Sequence, residues 1–280
     1  MSINSLLFHF CLQLKSFCAL FFAFDQLGLA SPSVFTVDSC DENWEKERSG
    51  LVSSIPKVSF RELYDEFDIP VVPLDCGEKC ASHNPGGKPI CCDICHAVPS
   101  AYRQEWAYLR SNTDLWHVWR GDECYENPED PNELGADTPD TMLLLACLGP
   151  LQCQRDFRSL SCRRFPFLPY ITSDYGFLGL AYNWEFEEQC WVISNLGEVT
   201  EEYRKKFVQF YDKIFSQWPQ ELYYYANISG KMRDHYIDQK RSITLLRRDG
   251  GFFLIRPLNE RIRSVEPTRL PKFGPYACLE

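Results

Sequence analysis

Residues 76–95 read CGEKCASHNPGGKPICCDIC and place five cysteines within 20 positions. Residues 147–167 read CLGPLQCQRDFRSLSCRRFPF and contribute three more. The chain of 280 residues contains 14 cysteines in all, which is an unusually high content for a protein of this size. Because a random distribution would not group them so tightly, we expect these two cysteine groups to decide how the chain folds.

The spacing within the first group is typical of metal ligands. Three residues separate Cys76 from Cys80, and two separate Cys92 from Cys95. Such short spacings let two thiolates of one turn reach the same ion. Cys91 and Cys92 are adjacent, and we expect their side chains to point in different directions. That arrangement suits two metal ions, or one ligand beside one packed thiol.

Disulfide bonds and thiol redox chemistry are the alternatives to metal ligation. The number of cysteines is even, as a disulfide framework requires, but a chain this long can bury a core without covalent staples. A redox-active pair at Cys92 and Cys95 would be expected after a βαβ pattern, and none precedes it. We therefore predict reduced thiols. We also predict that the two groups converge in space, because neither alone supplies a clean set of four ligands.

Other polar side chains near the cysteines are secondary candidates. His83 and His96 lie within or beside the first group and could ligate a metal. Otherwise His83 is an exposed loop residue, and His96 is a donor that orients a ligand. Arg163 and Arg164 directly follow Cys162. They could offset the negative charge of a thiolate-rich centre, or they could be surface residues.

Charge and hydropathy exclude several classes of protein. Lys and Arg total 29 against 39 Asp and Glu, so the formal net charge is −10. A chain this acidic is not expected to bind nucleic acid through bulk charge. No run of 18 uncharged apolar residues occurs, so no integral membrane span is expected. The expected partner is a protein or a small molecule that the sequence does not identify.

The first 50 residues are expected to lie outside the fold. The stretch from Leu6 to Phe24 is apolar with Lys15 in its middle, but a secretion signal should carry basic residues before its apolar run. A translation start placed too far upstream is one interpretation of this extension. The chain is therefore predicted to be cytoplasmic, with secretion as the alternative if the segment is a signal.

The remaining chain is predicted to be an α+β protein, with helices and short antiparallel hairpins around a small, irregular, cysteine-rich and metal-centred core. We expect residues 51–190 to form the cysteine-cluster domain and residues 191–280 to pack on it as a helix and a hairpin. The periodicity of apolar residues and the turn signals predict the following elements: a helix over 58–67, a helix face within 100–119, hairpins over 167–182 and 243–255, and a helix that Thr200 caps and that carries an apolar face from Tyr203 to Trp218.

The cysteine pattern resembles that of a known family. The paired Cys91 and Cys92, followed far downstream by C-R-R-F-P-F at residues 162–167, resembles the YkgJ-like cysteine-cluster proteins, which are zinc- or iron-chelating domain proteins. The resemblance covers residues 76 to about 170. One departure is that ten residues separate Cys80 from Cys91, whereas the first cysteines of the family are packed more tightly. The resemblance implies a metal site built from Cys76, Cys80, Cys91, Cys92, Cys95, Cys147, Cys153 and Cys162.

The expected function is therefore metal binding. Eight thiolates suffice for two tetrahedral Zn2+ sites, or for one iron–sulfur cluster with cysteines left over. The alternative is an enzyme that uses such a centre for redox chemistry or for protein methyl transfer, because the cysteines are also distantly similar to those of flagellin lysine-N-methylases. The second alternative is a secreted, disulfide-rich protein.

Overall fold

The structure is a computed structural model, and it describes residues 58–124, 135 and 138–277. The predicted N-terminal extension, residues 1–50, lies outside these ranges, as does Cys278. Residues Ile55–Glu280 form one compact unit, and the predicted division between residues 190 and 191 stays a prediction. In the described part of the chain, no helix has the length and apolar character needed to cross a bilayer.

The described chain begins with two short helices. Helix α1 spans Phe60–Glu66 and starts at Ser59, whose side chain accepts a hydrogen bond from the Glu62 backbone amide. Its apolar side chains at Phe60 and Leu63 are buried, which confirms the predicted amphipathic helix. Helix α2 spans Cys76–Ala81 and carries the first two cysteines of the first group.

A small sheet follows, and it surrounds one helix. The chain runs through β1 (Ser100–Tyr102), α3 (Arg103–Asn112), β2 (Trp116–Val118) and β3 (Met142–Cys147). Both outer strands pair antiparallel with β3, in the order β1-β3-β2. The helical periodicity predicted within residues 100–119 is therefore confirmed only for α3. The flanking residues form strands because they pair with β3, which lies too far along the chain for local periodicity to indicate the pairing.

The second cysteine group leads into the larger sheet. Helix α4 spans Leu160–Arg164 and is followed by strands β4 (Phe167–Ile171) and β5 (Phe177–Tyr182). These two strands pair antiparallel with Phe167 opposite Tyr182, as the sequence predicts. Every residue of β4 is buried, so this strand belongs to the core on both of its faces.

Three helices connect this hairpin to the rest of the sheet. They are α5 (Trp191–Ser194), α6 (Glu201–Gln217) and α7 (Pro219–Asp238). The predicted cap of α6 is confirmed, because the Thr200 hydroxyl accepts a hydrogen bond from the Tyr203 backbone amide at 3.1 Å. Helix α7 was not predicted. It begins at a proline, which suits the first turn of a helix, and it packs on β4.

The larger sheet is an antiparallel meander of five strands in the order β4-β5-β6-β7-β8. Its last three strands are β6 (Ile243–Arg247), β7 (Phe252–Arg256) and β8 (Arg261–Val265). The predicted second hairpin corresponds to β6 and β7, with Ile243 opposite Ile255. The α+β class is thus confirmed, and the two predicted hairpins belong to one sheet because β5 pairs with β6.

The core is aromatic and aliphatic. The buried face of α6 contributes Tyr203, Phe207 and Tyr211, each at most 1% exposed, and packs against β5 and α1. The Phe67 and Phe210 rings stack at a centroid distance of 5.4 Å. Burying one such side chain contributes roughly 1.5–3 kcal/mol to folding. The cysteines lie at the margin of this core. Cys190 is the one cysteine of the described chain that belongs to the buried core itself.

Candidate metal centre

A short helix holds the first two cysteines. Helix α2 begins after Asp75, whose side chain accepts a hydrogen bond from the Gly77 backbone amide at 2.9 Å. Because Cys76 and Cys80 are four positions apart in this helix, their side chains lie on one face. Cys80 is 4% exposed, and Cys76 packs against the hydrophobic core. The short spacing seen in the sequence is therefore one turn of helix.

The adjacent cysteines of the first group lie in a 3₁₀ turn that spans Ile90–Cys92. Ile90 is 1% exposed and anchors this turn in the core. The sulfur atoms of Cys91 and Cys92 lie 4.0 Å apart. The expectation that the two side chains point in different directions is therefore wrong, because the tight turn brings both to one side. Their hydrogen bond lowers the pKa of Cys92 to about 7 and raises that of Cys91.

The second group is spread over a strand end, a loop and a helix. Cys147 is the last residue of β3 and lies opposite Trp116. Cys153 follows the 3₁₀ turn Pro150–Gln152 and is exposed. Cys162 lies in α4. The Ser159 hydroxyl accepts a hydrogen bond from the Cys162 backbone amide and donates one to the Cys162 sulfur atom, both at 3.4 Å. Burial raises the pKa of Cys162 to about 12.

The two cysteine groups converge. Burial raises the pKa of Cys147, Cys153 and Cys162, and the negative charge of Cys92 raises each of these pKa values further. Cys92 has the same effect on Cys80 of its own group, again in addition to burial. Charges that act on one another in this way place the two groups in the same region of the fold. Their convergence on one metal site stays a prediction.

Cys190 joins the same cluster, although the sequence analysis left it out. It is 5% exposed and directly precedes α5. Burial raises its pKa to about 12, and the charges of Cys76 and Cys80 add to that effect. Cys190 is 95 positions from Cys95 and stands alone in the sequence, so no spacing signal could have identified it. We call the eight described cysteines that carry no disulfide bond, whose charges act on one another's ionisation, the thiol cluster: Cys76, Cys80, Cys91, Cys92, Cys147, Cys153, Cys162 and Cys190.

Cys95 does not belong to this thiol cluster. It forms a disulfide bond with Cys124, with a sulfur–sulfur distance of 2.15 Å and a Cα–Cα distance of 5.0 Å. The assignment of Cys95 as a metal ligand is therefore corrected, because a sulfur atom in a disulfide bond cannot form the thiolate that binds a metal. The prediction that the cysteines are reduced is wrong for this pair. The partner, Cys124, belongs to neither of the two groups seen in the sequence.

Arg158 places a positive charge near the thiols, to which Lys88 adds at Cys92 and Arg155 at Cys153. Burial raises the pKa of Cys153, and the charge of Arg158 is the largest effect that opposes it. Arg158 also lowers the pKa of Cys92, together with the stronger effect of the Cys91 hydrogen bond. The Nε atom of Arg158 is buried, and no described residue accepts a hydrogen bond from it. Arg163, which was expected either to offset this charge or to lie on the surface, is instead buried and donates hydrogen bonds to backbone carbonyls.

The two histidines near the first group have separate surroundings. His83 is exposed, and its ring packs edge-on against Tyr276 at 5.4 Å. His96 lies 3.1 Å through its Nδ1 atom from the Asp93 carboxylate. Asp93 is buried and also pairs with Lys88 at 2.9 Å. Although burial opposes the change, these partners lower the pKa of Asp93. Its carboxylate thereby fixes the orientation of the His96 ring.

The thiol cluster offers sulfur donors of the type and number that a thiophilic metal needs. However, these sulfur atoms are not arranged around one point, as the ligands of a bound metal are. No group of three or more cysteine, histidine or acidic side chains in the described residues is arranged to hold a metal ion as it stands. Most of the thiols are buried or half-buried, and their raised pKa values keep them protonated in neutral solution. A bound cation would have to draw them closer and displace their protons.

Comparisons with known proteins do not assign the chain. No family model, no curated protein and no solved structure matches it. The YkgJ-like resemblance therefore stays a prediction from the cysteine pattern, and what the cluster does must be inferred from its chemistry.

Proposed function

We propose that this protein binds a thiophilic metal, either Zn2+ or an iron–sulfur cluster, through the thiol cluster. The observation that carries the proposal is that eight described cysteines carry no disulfide bond and that their charges act on one another across distant parts of the chain. Residues 76–92 and 147–162 supply seven of them, and Cys190 supplies the eighth. Thiolates are the preferred ligands of zinc and of iron–sulfur clusters, and eight are enough for two four-sulfur sites.

The surroundings of the thiol cluster support this role. Arg158 places a positive charge beside Cys92 and Cys153, which favours their thiolate forms. A set of thiolates would otherwise repel one another in this partly buried region. Bound metal would add its own charge and lower the pKa of each ligand. A site closed by four sulfur atoms is structural in the case of zinc, whereas an iron–sulfur cluster also permits electron transfer.

Metal binding is expected to strengthen the fold. Cys162 lies in α4, which leads directly into the buried strand β4. Cys91 and Cys92 belong to a turn some 70 positions earlier in the chain. A metal held by both segments would tie the larger sheet to the loop of the first cysteine group. Its binding free energy then becomes part of the free energy of folding.

The first experiment is purification of the full chain without oxygen, followed by elemental analysis and a visible absorption spectrum. We expect at least one zinc or iron per chain. A colourless zinc protein identifies the first form, and absorption from sulfur-to-iron charge transfer identifies the second. A chain that is isolated without metal and takes up neither Zn2+ nor a reconstituted cluster would contradict the proposal.

The second experiment separates ligands from other cysteines. Cys162→Ser should lower the metal content and the melting temperature together, because serine keeps the size of cysteine but is a poor ligand. Cys278→Ser removes a thiol that is not among the eight and should change neither quantity. Full metal occupancy and an unchanged melting temperature in Cys162→Ser would remove the second cysteine group from the site.

A disulfide-rich, secreted protein is the second candidate, because Cys95 and Cys124 are already bonded. The two candidates differ in the oxidation state of the eight clustered cysteines. Alkylation in denaturant with a chelator, before any reduction, followed by peptide mass mapping distinguishes them. Metal binding predicts that the clustered cysteines that ligate the metal are alkylated, whereas Cys95 and Cys124 are protected by their bond. Protection of several of the eight would favour the disulfide-rich protein.

A further inference from the structure

Strand β8 is the exposed edge of the larger sheet. It is last in the strand order β4-β5-β6-β7-β8, and among the described residues no strand pairs with its outer side. Four of its five residues are exposed. The strand at the other end of the sheet, β4, is buried throughout and packs with α7. The outer side of β8 therefore presents backbone groups to which an extended peptide can hydrogen-bond.

Three arginines crowd one face of this edge. Arg256 of β7 lies directly opposite Arg261, and Leu254 lies opposite Arg263. Directly opposed residues of an antiparallel pair share a face, and so do alternate residues of one strand, so all three arginines share one face. All three are exposed, and their side chains have no hydrogen bond and no ion pair with any residue that the structure describes. Like charges in this arrangement repel one another, and the face carries uncompensated positive charge.

The nearest carboxylate along the chain is engaged elsewhere. Glu260 is the only acidic residue between positions 252 and 265. It pairs with Arg233 at 3.0 Å and accepts a hydrogen bond from the Ser173 backbone amide at 3.0 Å. Residues 240–272 contain nine Lys and Arg against three acidic residues, although the formal net charge of the whole chain is −10. This local excess of positive charge is complementary to an acidic partner.

The other face of β8 offers apolar surface. Ile262 lies opposite the buried Ile255 and is itself 42% exposed. Leu258, which lies between β7 and β8, is 76% exposed. A strand added beside β8 would direct alternate side chains to the arginine face and to the face of Ile262. Such an edge selects a partner by its main chain and by the alternation of its side chains.

We propose that β8 binds an extended acidic peptide, which joins the larger sheet as a sixth strand. The acidic side chains of the peptide lie on the arginine face, and the apolar side chains between them lie beside Ile262. A second copy of β8 does not suit this edge, because its arginines would meet those of the first copy. The strand contains no cysteine, so this surface is distinct from the thiol cluster and does not depend on its metal.

Fluorescence anisotropy with a labelled heptapeptide of alternating glutamate and valine tests binding to the full chain. We expect a dissociation constant on the order of 10–100 μM at low salt. The same peptide N-methylated at every amide keeps its charge but cannot donate main-chain hydrogen bonds, so it should bind at least about tenfold more weakly. Equal binding of the two peptides would overturn the proposal in favour of attraction to any polyanion. No binding at about 1 mM peptide would leave the arginines as protection of the edge against aggregation.

A charge variant tests the arginine face. Arg261→Gln combined with Arg263→Gln should weaken binding of the unmethylated peptide roughly three- to tenfold, because two exposed ion pairs are lost. The melting temperature should not fall, since neither side chain bonds to another described residue. Arg61→Gln combined with Arg110→Gln removes the same charge from exposed positions of α1 and α3 and should keep the affinity. Unchanged affinity in the β8 variant would overturn the proposal.

Hydrogen exchange locates the peptide without any variant. Binding should slow the exchange of backbone amides within residues 261–265, because the added strand accepts hydrogen bonds from those on the outer side of β8. Peptide binding that leaves the exchange of residues 261–265 unchanged would place the peptide elsewhere and contradict the proposal.

Discussion

The sulfur atoms of Cys91 and Cys92 lie 4.0 Å apart and form an asymmetric pair. Their hydrogen bond lowers the pKa of Cys92 to about 7, whereas the pKa of Cys91 is raised well above its usual range by the same bond and by burial. Cys92 is thus the more readily ionised of the two thiols, and Cys91 donates the hydrogen bond to it.

This asymmetry predicts the order of reaction with iodoacetamide. In the metal-free protein at pH 7, Cys92 should react roughly tenfold faster than Cys153, because the thiolate is the nucleophile and burial raises the pKa of Cys153. Cys153 is the more exposed of the two, so accessibility alone predicts the opposite order. Peptide mass mapping after short labelling times measures both rates. Cys91→Ala should slow the labelling of Cys92, and faster labelling of Cys153 at pH 7 would show the pairing to be wrong.

The Cys95–Cys124 disulfide should stabilise the protein without taking part in metal binding. The two cysteines are 29 positions apart, and closing a loop of this length typically contributes about 2–4 kcal/mol. Cys124→Ser should therefore lower the free energy of unfolding by that amount and leave the metal content unchanged. Urea unfolding and elemental analysis check the two parts. Cys95→Ser is the matched control and should behave identically, whereas loss of metal in Cys95→Ser alone would return Cys95 to the ligand set.

Buried Glu105 should make stability depend on pH. Its pKa in the folded protein, about 7, lies above the value of 4.5 expected for the unfolded chain. Between these values the folded state binds more protons, so stability is highest at low pH and falls as pH rises through this window. The loss amounts to about 3 kcal/mol at most. Urea unfolding at pH 5 and pH 8 measures it.

Glu105→Gln tests the origin of that dependence. The amide cannot ionise, so the difference in stability between pH 5 and pH 8 should shrink relative to the unaltered protein. Glu221, whose pKa burial raises to about 6, should account for part of what remains. Glu198→Gln changes an exposed carboxylate and should leave the difference as it was. An equal pH dependence in Glu105→Gln would mean that this carboxyl is ionised throughout.

Gly179 of β5 should not tolerate a side chain. Its φ is +149°, and a Cβ atom there would clash with the Leu246 carbonyl oxygen of the neighbouring strand. Because this contact is with backbone, Gly179→Ala should lower the free energy of unfolding by about 3 kcal/mol or more. Gly250→Ala is the control, since φ there is +111° and nothing lies within 4 Å. It should cost only about 1–2 kcal/mol of conformational strain, and equal losses at both positions would contradict the steric explanation.

Helix α6 and the two hairpins show how far sequence reasoning reaches. The apolar residues of α6 recur with the period of a helix, and Thr200 bonds an amide only three positions away. Helix α7 and strand β8 were not predicted, because neither shows a clear apolar period. Tyrosines and polar residues are mixed throughout α7, and β8 is largely exposed. These two elements are stabilised by packing on β4 and by pairing with β7.

The sequence by itself determined the α+β class, the α6 helix with its cap and the concentration of cysteines in two stretches, because all of these depend on interactions between residues close together in the chain. Only the tertiary structure decided which cysteines meet. It added Cys190 to the thiol cluster, removed Cys95 to a bond with Cys124, and placed Arg158 beside the sulfur atoms. These contacts depend on how helices and sheets pack around an aromatic core, and packing brings together side chains whose separation along the chain carries no record of their distance in space.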